Sequence, residues 1–95
     1  MIESDGDRFY LSGPVTFGNV LEVLAESEPL FAQPRVLIDL SRVTEADSSL
    51  VSLMLEWKRR AGVAGGAIAF ANLGDAITSL VDLYGVTELI PRPAE

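Results

Sequence analysis

Cysteine and histidine are both absent from this 95-residue chain. Their absence removes the thiolate nucleophile, the imidazole base and the usual zinc ligands at once. The lack of cysteine also agrees with a reducing compartment. No run of about 18 apolar residues is present to span a membrane. The opening residues, MIESDGDRF, carry neither the basic nor the apolar region of a signal peptide, so a cytoplasmic chain is expected. Positive charge is scarce: 7 Lys and Arg stand against 14 Asp and Glu, for a net charge of -7 and a pI near 4.4. That balance disfavours nucleic-acid backbones and anionic lipid surfaces as partners.

The chain is nevertheless 48 % hydrophobic, which argues against disorder, and its length suits one core. We therefore expect a single domain over residues 1–95, with 91–95 as a short proline-rich tail. Met1 to Glu3 and Arg8 to Ser12 read as strands joined by turn chemistry at Ser4-Asp5-Gly6-Asp7. Gly13-Pro14 interrupts. Thr16 then caps a helix from Phe17 to about Glu28, with Phe17, Val20, Val23, Leu24 and Ser27 inward and Glu22 and Glu26 facing water.

Pro29 and Pro34 flank a loop leading to a buried strand at Val36-Leu37-Ile38-Asp39-Leu40. After a central helix, Gly62, Gly65 and Gly66 turn the chain into a second buried strand, Ala67 to Ala71. A turn at Asn72 to Asp75 opens a last helix to Tyr84, with Ile77, Leu80, Val81 and Tyr84 inward. Gly85 stands where a left-handed cap belongs, and Val86 to Ile90 forms a short strand or tuck. This alternation predicts an α/β fold with a mixed, mostly parallel sheet and helices packed on it.

The central helix carries the functional signal. Asp47, Ser48 and Ser49 supply N-cap chemistry for a helix that starts at the second or third of them. At about 100° per residue, Leu50, Leu53, Met54, Trp57 and Ala61 share one face. Val51 and Leu55 fall to the side of it, beside Ser48, Ser52 and Arg59. A surface helix usually keeps a single apolar stripe, so this second, mixed face is the candidate for partner contact. Lys58, Arg59 and Arg60 favour the negative end of the helix dipole, and docking of an acidic partner is the alternative role.

Enzyme chemistry finds little support. Gly62 to Gly66 lacks the Lys-Ser/Thr pair of a phosphate loop and follows a helix rather than a strand. Asp39 and Asp47 bracket a loop, but no third ligand accompanies them. Asp47 suits a cap, and Asp39 must find hydrogen bonds inside a buried strand. A serine without a base is a poor nucleophile. No catalysis, metal or cofactor is expected. Ser48, at a helix N-terminus, is a candidate for phosphorylation, which would place nearly two negative charges on the docking surface.

These residues resemble those of the STAS domains, the sulfate-transporter and anti-sigma-factor-antagonist modules. The resemblance rests on the strand VLIDLSRV, the short loop, and D-S-S at the start of a helix. It extends to the turn at Asn72 and the closing Gly85-Val86. In regulatory members the serine after the aspartate, here Ser48, is the phosphorylated one. The family usually has glycine two places later, where this chain has Leu50, and a bulkier residue there would alter a partner's approach. The run DSSLVSLMLEWKRRA and the ending ELIPRP resemble one branch, the stand-alone STAS subunit of Mla-type ABC transporters that maintain outer-membrane lipid asymmetry.

That resemblance implies a non-catalytic subunit in Gram-negative bacteria. It would bind the transporter's ATPase, itself in complex with a permease, and sit peripheral to the inner membrane. Asp47, Ser48, Ser49, Val51, Ser52 and Leu55 would form the contact. An anti-sigma-factor antagonist switched at Ser48 is the alternative.

Overall fold

Period-two alternation builds the sheet and leaves it two unlike faces. In β4 (Arg35–Asp39), Val36 and Ile38 are buried, whereas Arg35 is exposed and Leu37 half-buried. The strand β6 (Ala67–Ala71) repeats the pattern, with Ile68 and Phe70 buried, Ala67 exposed and Ala69 half-buried. The computed structural model describes residues 1–5 and 8–93. Within them, β1 (Ile2–Asp5) pairs antiparallel with β2 (Arg8–Leu11), and β2, β4 and β6 run parallel in the order β1-β2-β4-β6. The turn expected between β1 and β2 includes Gly6 and Asp7, which lie outside the described residues.

A second small sheet was not anticipated. β3 (Gly13–Val15) pairs in parallel with β5 (Val43–Ala46), although Gly13-Pro14 reads as an interruption and Val43 to Ala46 as a loop. The expected α/β fold with a mixed, mostly parallel sheet is otherwise present. Three α-helices pack with it: α1 (Val20–Ser27), α2 (Ser48–Val63) and α3 (Gly74–Leu83). Two short 3-10 turns, at Glu28–Ala32 and Thr87–Leu89, complete the chain. The second is the tuck rather than the strand, and it seats Ile90 in the core.

The inner face of α2 has the phase that periodicity predicts. Leu50, Leu53, Met54, Trp57 and Ala61 are all buried. The Trp57 ring stacks on Phe70 of β6 with centroids 6.2 Å apart. Its indole N–H donates to Ser27 Oγ at 2.7 Å, and Ser27 in turn donates to the Leu24 carbonyl at 2.6 Å. One buried indole therefore ties α2 to both the sheet and α1 with its polar atom satisfied.

Helix ends follow glycine geometry where the backbone demands it. Gly65 (φ 80°) follows the end of α2, and the Gly66 amide donates to the Ala61 carbonyl at 2.8 Å. Gly85 (φ 67°) fills the left-handed position after α3. Two inward assignments differ from expectation. Tyr84 is largely exposed, because α3 ends at Leu83 and leaves it in the cap. Phe17 is 74 % exposed, because α1 starts only at Val20. The Thr16 hydroxyl accepts from the Gly18 amide and Asn19 Oδ1 from the Thr16 amide, holding residues 16–19 in a turn.

Candidate functional site

Asp39 occupies the C-terminal end of β4, where the sequence left its role open. Its side chain is buried and receives Arg8 Nη1 at 2.7 Å, Asn72 Nδ2 at 2.8 Å and the Ser41 amide at 2.8 Å. Burial pushes this carboxyl up, but the hydrogen bonds from Ser41, Asn72 and Arg8 together bring it below the usual carboxylate value. Asn72 stands in a left-handed conformation (φ 55°) that aims its amide at the carboxylate. The cluster joins β2, the β4–β5 loop and the β6–α3 loop. Among the described residues no group of three His, Cys, Asp or Glu is placed to hold a metal.

Asp47 is the N-cap of α2 and links two segments. One carboxylate oxygen accepts from the Ser49 amide at 2.9 Å and from the Ser49 hydroxyl. The other accepts from the Phe17 amide at 3.1 Å. The Ser49 hydroxyl above all, with the two amides, holds this carboxyl below its ordinary range against a smaller opposing effect of burial. The cap therefore draws the residue 16–19 turn against the start of α2. It also shows that Ser48 does not cap: Ser48 is the first residue of the helix, half-buried.

The six residues expected at the contact divide into three groups. Ser52 is exposed, and Ser48 and Leu55 are half-exposed, so these three can meet a partner. Asp47 shapes the surface as described. Ser49 and Val51 lie beneath it: Ser49 is turned into the cap, and Val51 is 4 % exposed within the core. Sequence phase put Val51 beside Ser48 on the mixed face, but Val51 belongs to the buried core cluster. Leu50 is likewise fully buried, so the leucine in place of the family's glycine does not obstruct approach.

Structure supplies the apolar residues that sequence reading missed. Phe17 and Leu21, 74 % and 76 % exposed, flank a groove of about 230 Å³ between α1 and α2, bordered by Ser49, Ser52, Leu53 and Glu56. Their neighbourhood to Ser52 was hidden because Phe17 sits at helical spacing with true core residues. At the far end of the groove, Glu56 accepts from Arg59 (2.9 and 2.7 Å) and Arg60 (2.8 Å). These hydrogen bonds take its carboxyl down to about 2. Two of the three basic residues are thus engaged on their own helix, which favours the local role over a free cationic patch.

No curated protein matches the chain significantly. Among solved structures, the anti-sigma factor antagonist SpoIIAA in its unphosphorylated form aligns over 100 % of this chain and 88 % of its own, with TM-score 0.73 and 18 % identity. SpoIIAA of Bacillus in the phosphorylated form aligns over 100 % and 91 %, with TM-score 0.68 and 18 % identity. A protein described as Mglu aligns over 76 % of this chain but only 19 % of its own, with TM-score 0.59 and 28 % identity. The SpoIIAA likeness is one of fold. The family model described as "Mlab, STAS domain" matches residues 2–91, and with the D-S-S start of α2 and the β4 strand before it, the chain belongs to the STAS family.

Proposed function

We propose that this protein is the non-catalytic STAS subunit of an Mla-type phospholipid-transport ABC complex, docking on its ATPase and supporting it. The observation that carries the reading is the continuous surface at the start of α2. Ser52 borders the groove flanked by exposed Phe17 and Leu21, and partly buried Ser48 and Leu55 stand at helical spacing from it along α2. Large exposed aromatic and aliphatic groups next to small ones are the ingredients of a protein–protein contact. The choice of partner is supported by the resemblance of this chain to the stand-alone STAS subunit of Mla-type transporters and by the family model described as "Mlab, STAS domain". In this reading the subunit binds no nucleic acid and needs no cofactor, and no helix among the described residues is long and apolar enough to cross a membrane. In this reading it is cytoplasmic and reaches the inner membrane only through the ATPase and its permease, serving outer-membrane lipid asymmetry.

One observation favours a second reading. Ser48 is partly accessible, and its hydroxyl makes no hydrogen bond among the described residues. A kinase could therefore reach it, as an anti-sigma-factor antagonist requires. Capture of partners by the tagged protein from native cells separates the two. An ATPase and permease in the eluate support the first reading. A serine kinase and a sigma-factor regulator, with phosphate found on Ser48, support the second.

A further inference from the structure

On the face of the main sheet that carries Arg35, Leu37, Ala67 and Ala69, the starts of β4 and β6 are only partly covered: Arg35 and Ala67 are exposed, Leu37 and Ala69 half-buried. A groove of about 700 Å³ lies over the start of β4 and β6, floored by Leu37, Ala67 and Ala69 and flanked by Arg35, Arg92 and Pro93. The volume falls within the range of roughly 300–1,000 Å³ typical of small-molecule sites. Among the described residues no acidic side chain lines this groove, whereas Arg35 and Arg92 do. Neither arginine makes an ion pair among the described residues, in contrast to Arg8, Arg42, Arg59 and Arg60. The alanines keep the floor low enough to admit an occupant.

We propose that this groove binds a small anionic amphiphile, its carboxylate or phosphate between Arg35 and Arg92 and its apolar chain over Leu37, Ala67 and Ala69. Guanidinium groups pair with such oxyanions in a directional, often bidentate way, while the alanine and leucine floor offers only apolar contact. A peptide strand is a poorer fit. The outer edge of β6 is already engaged, because the Phe70 amide donates to the Pro91 carbonyl at 2.9 Å. The net charge of -7 opposes broad adsorption to anionic surfaces, but it acts less on a local groove whose described lining holds two arginines and no acid. The groove lies on the opposite side of the sheet from α2, so the proposal is independent of the docking surface.

Decanoate below its micellar concentration tests it, followed by amide NMR shifts, with decyltrimethylammonium and acetate as controls. The expected result is saturable binding with shifts at Leu37, Ala67 and Ala69, weakened at least about tenfold by Arg35→Glu or Arg92→Glu. Ala69→Phe, which fills the groove, should abolish it. Both arginines are exposed, so their substitution leaves the fold intact, as an otherwise unchanged spectrum will verify. Equal binding of the cationic amphiphile would reduce the groove to apolar adsorption, and equal binding of acetate would reduce it to an anion site. Displacement of decanoate by an acidic peptide of higher affinity would reassign it to a protein partner. Any of these three results overturns the proposal.

Discussion

Replacing Asp39 by Asn should destabilise the domain by about 2 kcal/mol, and the figure follows from what each oxygen does. The substitution keeps shape but replaces one acceptor by an NH2 group. The oxygen facing the Ser41 amide can be retained. The other position, which accepts from Arg8 at 2.7 Å and Asn72 at 2.8 Å, then meets two donors with a donor. A charge-assisted bond is worth about 1.5–3 kcal/mol and a neutral one about 0.5–1.5 kcal/mol. Two relaxations lower the sum. The Arg8 side chain is 38 % exposed and can turn to water, and Asn72 can present its own oxygen instead. The cost therefore falls short of the roughly 3–5 kcal/mol seen when one partner of a wholly buried pair is removed.

Urea unfolding followed by far-ultraviolet circular dichroism measures the loss at pH 7. The sign of the pH dependence is fixed. The folded carboxyl lies below its usual 3.8, so the stabilisation is complete above that value and disappears as pH falls through the folded value. Asp39→Asn should consequently flatten the acid limb of the stability profile. A loss under about 0.5 kcal/mol, or an acid limb identical to that of the parent, would refute the argument that this carboxylate organises the three segments.

Other perturbations probe separate parts of the account. Trp57→Ala should cost about 3–5 kcal/mol, and a double-mutant cycle of Trp57→Phe with Ser27→Ala should return a coupling of about 0.5–1.5 kcal/mol for the indole bond. Ser48→Ala should change stability by no more than about 0.5 kcal/mol, whereas Asp47→Ala should destabilise more than it in the same thermal melt. Gly66→Ala should cost about 1–3 kcal/mol, because a Cβ there would lie 2.7 Å from the Pro34 carbonyl oxygen, which already accepts from Ala67. Phe17→Ser should leave the urea midpoint nearly unchanged, since the ring is exposed, while weakening partner capture at least about tenfold.

Sequence periodicity exposes those parts of the fold in which local preference and tertiary packing agree. The five-residue inner stripe of α2 repeats often enough to fix its phase, and all of it is buried. Asp47 ahead of two serines announces a helix start, and Gly85 announces a helix end. The β3–β5 pair is invisible for the opposite reason. Its strands hold 3 and 4 residues, with little alternation, and Gly13 finds its partner Val43 across α1 and β4. Phe17 misleads because apolar spacing continues past the point where Thr16 and Asn19 take the backbone out of the helix. Val51 misleads because its burial is set by the elements packed around α2, not by spacing along α2. The candidate site is therefore half legible: its polar residues are announced by the D-S-S motif, while its apolar part comes from a different segment brought in by the Asp47–Phe17 hydrogen bond.

The affinity of the purified ATPase subunit for the Ser48→Arg variant tests the docking surface most directly. A long cation at the first turn of α2 would be left unpaired in a close contact, at about 2–5 kcal/mol, or a loss of roughly 30-fold to several-thousand-fold. Circular dichroism and the urea midpoint establish that the variant is folded. Calorimetric binding seen with the parent protein should be lost, and Ser48→Glu should lose it as well. Unchanged affinity of a folded Ser48→Arg variant would place the docking site elsewhere and contradict the proposed function's structural basis.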